Sequence, residues 1–117
     1  MIKSVIPKLP FIDKKLTTRF YEEGLGYTLA ADYGDYLIME LPGAELHFFA
    51  YPGLQPSKSD FMIYLRVEGI ERLYKEVQEK GMTIHLNAPL EAKPWGQKEF
   101  AVIDPNGTLL TFGEAHF

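Results

Sequence analysis

The order of elements along this chain is repeated. Each half reads as a strand, a short helix and three further strands, and Gly26 and Gly81 stop the two helices at the same place in the two copies. One face of such a half-sheet takes its helix and the other face is left bare, so two halves can curl around a cleft between their bare faces. The chain therefore reads as one α+β domain spanning residues 1–117, built from two βαβββ modules at about 1–57 and about 58–117. Together they would form a curved, mostly antiparallel sheet around a cleft. With 117 residues, 46% of them hydrophobic, there is material for one core that buries roughly two-thirds of the unfolded surface.

The signals for individual elements support this order. Residues 4–12, "SVIPKLPFI", read as a strand interrupted by Pro7 and Pro10, each of which removes a ladder donor, and such a strand belongs at an edge or at a change of partner. Asp13 offers a helix cap before "KKLTTRFYEE", where Leu16 and Phe20 lie four apart as an apolar stripe. The strands "YTLAADY", "DYLIMEL" and "ELHFFAY" follow, joined by turns at Gly34-Asp35 and Pro42-Gly43. In the second copy "FMIYLRV" is a strand, and "GIERLYKEVQEKG" puts Ile70, Leu73, Tyr74 and Val77 on one helical face. "MTIHLNAPL", "KEFAVIDPNG" and "TLLTFGEA" supply three more strands, the last two joined at Asp104-Pro105-Asn106-Gly107.

Composition removes several functions. Cysteine is absent, so disulfides, thiolate nucleophiles and Cys-based metal sites are excluded together. A formal charge of -4 gives no general attraction to nucleic acid or anionic lipid and favours a cationic ligand. There is neither a leader-like N-terminus nor a membrane-length apolar run, which reads as a cytoplasmic protein. No Ser-His pair stands in a nucleophile motif. Aromatic residues make up 14% of the chain, a proportion suited to strands and to a pocket that stacks flat ligands.

The repeat, with "FYEEGLGY" at the end of the first helix and "VIDPNGTLLTF" before the last strand, resembles the vicinal oxygen chelate superfamily, which includes glyoxalases, bleomycin resistance proteins and extradiol dioxygenases. The resemblance covers nearly the whole chain. It implies a divalent-ion site in the enzymatic branches, whose four ligand positions fall here on Ile6, His47, Met62 and Thr111. One imidazole among Ile, Met and Thr does not supply the roughly three ligands a catalytic ion needs. No metal, cofactor or catalytic residue is therefore expected, and His85 and His116 read as surface or satisfied polar residues.

The stretches "HFFAYPGLQP" and "PWGQKEFAVIDPNGTLL" are similar to segments of the bleomycin resistance group. That resemblance implies a homodimer that sequesters bleomycin- or phleomycin-type cationic glycopeptides, free or as metal complexes, in interface grooves without modifying them. It further implies that Trp95, beside Gly96, stacks on the drug, that Tyr36 is a second aromatic of the groove, and that Pro7 stands where the first strand can cross to the other subunit. Strand alternation adds residues independently of the family. Glu45, His47 and Phe49 share one face, as do Met62, Tyr64 and Arg66, with Ile63, Leu65 and Val67 on the opposite, helix-facing side. The expected ligand-binding set is Asp32, Asp35, Tyr36, His47, Phe49, Tyr51, Asp60, Phe61, Tyr64, Trp95 and Gly96, with Asp32 and Asp35 as anions for a cationic tail. The alternatives are a metal-dependent glyoxalase-like lyase or thiol transferase, and a binding module for another flat metabolite.

Overall fold

Each module places its first strand beside its last. The computed structural model describes residues 1–116. It contains β1 (Lys8–Phe11), α1 (Lys14–Arg19), β2 (Thr28–Asp32), β3 (Tyr36–Glu40), β4 (Leu46–Ala50), β5 (Met62–Arg66), α2 (Ile70–Glu79), β6 (Thr83–Ile84), β7 (Glu91–Ala92), β8 (Gln97–Ile103) and β9 (Leu109–Ala115). The first sheet has the order β1-β4-β3-β2, the second β5-β9-β8-β6 with β7 added against β8. The pairs β1/β4 and β5/β9 are parallel and the rest antiparallel, so the architecture is α+β with the same strand order in both copies.

The core is one cluster shared by both modules. Leu9, Phe11, Leu37, Met39, Leu46 and Phe48 of the first sheet join Phe100, Val102, Leu110 and Phe112 of the second, with Ile70 and Val77 from α2. Gly69 has no side chain to cap α2. The Glu114 carboxylate of β9 does so instead, accepting from the amides of Gly69 at 2.8 Å and Ile70 at 3.1 Å. Gly26 and Gly81, at φ 80° and 75°, take the left-handed conformation that stops each helix.

Four expectations are corrected. Residues 4–7 carry no strand, because pairing begins only where the Pro7 carbonyl accepts from the His47 amide; the first strand is Lys8–Phe11. On the first helix Leu16 is exposed, whereas Thr17 and Tyr21 are fully buried, Tyr21 against the rings of Phe20, Tyr27 and Phe48 and both with polar partners. That helix ends in a wider π turn over Phe20–Gly24. In "MTIHLNAPL" only Thr83–Ile84 is strand: the Ala88 amide donates to the His85 carbonyl and the Asn87 amide to His85 Nδ1, which fold the rest into a turn. The short strand β7 then follows, unforeseen in the sequence.

The polar partners of Thr17 and Tyr21 come from the other module. Tyr21 Oη donates to Asp104 Oδ2 at 2.7 Å, Asn106 Nδ2 donates to Thr17 Oγ1 at 3.1 Å, and the Ile12 amide donates to Asn106 Oδ1 at 2.9 Å. Asp104 Oδ1 also accepts from the amides of Asn106 and Thr108. Burial pushes the Asp104 carboxyl above its ordinary value, although these bonds pull it down, and burial pushes the Tyr21 phenol well above its own. The turn between β8 and β9 is thus plugged into the first helix, and it fixes how the modules sit.

Candidate ligand-binding site

The faces of the two sheets that the core leaves uncovered each carry a polar and aromatic group. On the first sheet, cross-strand register sets Tyr36 opposite Phe49 and Lys8 opposite His47. His47 Nε2 donates to Glu45 Oε2 at 2.6 Å, and with the ring proton there the Nδ1 lone pair accepts from the Tyr36 hydroxyl at 2.7 Å. The Lys8 ammonium lies 5.4 Å from the centre of the Tyr36 ring. Phe49 continues the patch, its ring 6.4 Å from Tyr51 and 6.0 Å from Phe61.

Asp32 is not brought to this group. A register shift between Leu29 and Ala31 inserts a bulge in β2, so Asp32 pairs with Leu37 and shares its helix-facing side. There it accepts from Lys14 Nζ at 2.9 Å and from the Gly34 amide at 2.8 Å, and the Lys14 bond holds its carboxyl below the ordinary range. Asp35 remains exposed in the turn, and Asp60 is exposed just before Phe61.

The second group centres on Glu99. This acid is only 8% exposed although it sits on the uncovered face of β8, and its Oε2 accepts from Tyr64 Oη at 2.7 Å and from Trp95 Nε1 at 2.9 Å. Glycine makes that possible. Tyr64 must cross β9 to reach β8, and it does so over Gly113, where an added Cβ would stand 1.8 Å from the phenol oxygen. Burial and the Glu99 carboxylate both raise the Tyr64 phenol, and the Arg66 guanidinium lies 5.5 Å from its ring centre. Trp95 occupies the hairpin between β7 and β8. Pro94 precedes it, Gly96 follows at φ 79°, the Gly96 amide donates to the Lys93 carbonyl, and the Gly96 carbonyl accepts from the His116 amide. The turn is therefore tied at both ends. The indole N–H is pinned to the sheet while the ring stays 64% exposed.

Of the expected site residues, the structure thus gathers Tyr36, His47, Phe49, Tyr51 and Phe61 on one sheet and Tyr64, Trp95 and Gly96 on the other. Among the described residues no hydrogen bond or ring contact joins the Tyr36–His47 group to the Tyr64–Trp95 group. A cavity of about 1020 Å³ does lie between the modules, lined by Leu25, Leu46, Ile63, Tyr64, Leu65 and Arg66 among others; of the expected site residues Tyr64 reaches it, and Tyr36, His47 and Trp95 do not. Sequence reading missed Glu99 and Lys8. The available signal for Glu99 was a lone acid at the entry of the apolar run "EFAVI", four residues after the tryptophan.

The chemistry of the positions at which the family resemblance implies a metal can be tested on the same geometry. Thr111 lies beside Tyr64 in the second sheet, Met62 is an exposed thioether on β5, and Ile6 has no donor. His47 has both ring nitrogens engaged by Glu45 and Tyr36. This donor set does not fit a catalytic divalent ion.

Comparison with known proteins agrees with the architecture. The model of the Glyoxalase/Bleomycin resistance protein/Dioxygenase superfamily matches residues 12–112. The chain belongs to this superfamily. Within it, a protein named bleomycin resistance protein from Klebsiella pneumoniae is 33% identical over 116 residues, covering 94% of this chain and 90% of that protein. Another of the same name, from Geobacillus stearothermophilus, is 28% identical and covers 92% of each. Among solved members of the superfamily, a bleomycin-binding protein complexed with bleomycin aligns with a TM-score of 0.86 and 30% identity over 98% of this chain and all of that one (100%). A bleomycin resistance determinant encoded on the transposon Tn5 gives the same TM-score of 0.86 and 30% identity over 99% of this chain and 100% of its own.

Proposed function

We propose that this protein confers antibiotic resistance by binding and sequestering bleomycin- or phleomycin-type glycopeptides in the cytoplasm, without modifying them. The observation that carries this reading is Trp95. A large ring anchored through its N–H, held on a turn tied at both ends and left open to solvent is built to receive a flat partner. The superfamily relatives named for bleomycin resistance and bleomycin binding support the choice of ligand class. The misfit of Ile6, His47, Met62 and Thr111 to a divalent ion supports binding over the catalysis of the metal-dependent branches.

The reading includes a homodimer. Two aromatic patches on two separate sheets each offer half of a groove, and a second copy under a two-fold axis can set the Tyr36–Phe49 patch of one subunit against the Trp95 rim of the other, giving two equivalent sites. Within each 117-residue chain the two modules then act as one domain with one half-site apiece. Tyr36, His47, Phe49, Tyr51, Phe61, Tyr64, Trp95 and Gly96 line the groove, with Asp35 and Asp60 as exposed anions near its ends.

Emission tests this directly, because the chain has one indole. Addition of bleomycin at micromolar concentration is expected to change Trp95 emission and to release heat, at one site per chain in a protein of twice the chain mass. Silence in both signals overturns the reading. If bleomycin binds but the protein does not protect a sensitive host, the ligand is another flat metabolite.

A further inference from the structure

Glu99 is doubly engaged on one oxygen and open on the other. Both hydrogen bonds, from Tyr64 and Trp95, fall on Oε2. Among the described residues no donor reaches Oε1, yet this atom is not sealed among the buried polar atoms that lack a partner, so it keeps contact with solvent. No Lys, Arg or His nitrogen of the described residues lies within ion-pair distance of this carboxylate. Lys93 pairs with Glu91, which stands opposite Glu99 in the β7/β8 register, and Lys98 pairs with Glu71. Arg66 stands nearer: it shares the Gly113 row with Glu99, lies over the Tyr64 ring and pulls the Tyr64 phenol down. The result is a carboxylate without a direct ion pair, over nine-tenths buried, beneath an exposed indole.

We infer that Glu99 is the charge-selecting residue of the groove: its free Oε1 receives a cationic or strongly donating group on the same flat ligand that stacks on Trp95. This rests on the proposed binding role of Trp95 and extends it to a residue that neither the family resemblance nor strand alternation pointed to. It also moves the ligand's anionic partner from the turn acids to the floor of the second sheet, since Asp32 is held by Lys14 on the helix side. A carboxylate at a protein–solvent boundary, sheltered by two aromatic rings, attracts a cation far more than an exposed acid does. Its fixed hydrogen bonds also mean that binding need not reorder it.

Glu99→Gln separates charge from geometry, because the glutamine oxygen can still accept from Tyr64 and Trp95. Affinities are to be measured by Trp95 emission and calorimetry for bleomycin, for the flat cation thioflavin T, and for the neutral parent benzothiazole of that dye. Circular dichroism and the unliganded emission maximum check that fold and indole position are kept. Asp32→Asn serves as a second variant that removes an equal charge outside the groove. The expected result is a loss of about tenfold or more in thioflavin T affinity for Glu99→Gln, the scale of one charge-assisted contact. Affinity for the neutral benzothiazole should stay within about twofold of the native protein, and Asp32→Asn should keep the native preference for the cation. Equal affinity of native and Glu99→Gln protein for the cation, or no cation binding by native protein, overturns the inference. The two proposals fail separately. Charge-dependent dye binding without bleomycin binding removes the drug reading and leaves Glu99 its role, and bleomycin and dye binding that ignore Glu99→Gln do the reverse.

Discussion

Removing the Tyr21 hydroxyl should cost more stability than removing that of Tyr27, and the difference should depend on pH. Both phenols are buried and hydrogen-bonded, Tyr21 to the Asp104 carboxylate at 2.7 Å and Tyr27 to the Ala44 carbonyl at 2.6 Å, and burial raises the Tyr27 phenol to about 12. Tyr→Phe keeps the ring, so no cavity opens in either case. Loss of a bond to a charged acceptor costs about 1.5–3 kcal/mol, against about 1 for a neutral one. In Tyr21→Phe the full cost applies where Asp104 is ionised. Burial already raises the folded-state value of Asp104, so this carboxyl favours the fold most at pH below its unfolded value of about 3.9, and that advantage is lost as pH climbs through the folded value. Tyr21 provides one of the bonds that pull the folded value down, so Tyr21→Phe lets it rise further. The penalty of the substitution is then complete above that raised value and shrinks as pH falls below it, where a protonated Asp104 no longer needs a charge-stabilising donor. Urea titrations should show Tyr21→Phe weakened by about 2–3 kcal/mol near pH 7.5, a midpoint shift on the order of 1 M, and by about 1 kcal/mol near pH 4. Tyr27→Phe should cost about 1 kcal/mol at both. Equal and pH-independent penalties for the two variants would refute the view that Asp104 is ionised and held by Tyr21.

Other substitutions probe different contacts. Gly107→Ala places a Cβ 2.0 Å from the Pro56 carbonyl oxygen at φ 80°, main chain against main chain, and should cost more than about 3 kcal/mol or prevent folding, read by thermal denaturation. Gly113→Ala also collides, but with the end of the half-exposed Tyr64 side chain, which can swing out. It should cost only about 1 kcal/mol in urea and return the Tyr64 phenol toward its ordinary value by ultraviolet titration. Thr108 has a fully buried hydroxyl with no partner, so Thr108→Val should leave stability unchanged or raise it by up to about 1 kcal/mol in the same titration. Trp95→Ala should weaken bleomycin binding by about 1–3 kcal/mol in calorimetry, the scale of one aromatic stack, with little change in stability because the ring is exposed.

What could be read in the sequence follows from how local each signal is. The buried stripe of α2, the Pro42-Gly43 turn and the alternation along β4 and β5 depend on neighbours a few residues away, and the structure shows all three. Bulges, tertiary hydrogen bonds and glycine clearances are not local in this way. One inserted residue near Ala30 puts Asp32 on the other side of its strand, and the contacts of Tyr21 with Phe48 and Asp104 outweigh the Leu16 stripe. Glu99 reads as an ordinary strand acid until Tyr64, two strands away, is seen to cross Gly113 and meet it. For Trp95 the resemblance points to a ligand-stacking role, but the carboxylate that orients its ring belongs to the three-dimensional arrangement.

The plug of Asp104 and Asn106 into Thr17 and Tyr21 gives the repeated architecture a direction. In a chain whose halves were interchangeable, either could be exchanged for the other or expressed as a symmetric pair of identical units. Here the socket belongs to the first half and the key to the second, and the corresponding Pro42-Gly43 turn carries neither a carboxylate nor an amide with which to replace it. A first half produced alone would expose an unmatched phenol and hydroxyl, and a second half alone would expose the Asp104 and Asn106 side chains that match them. The two halves are unlike partners joined by a linker, so a change at the plug of one constrains the other, whereas their bare faces lie outside this contact.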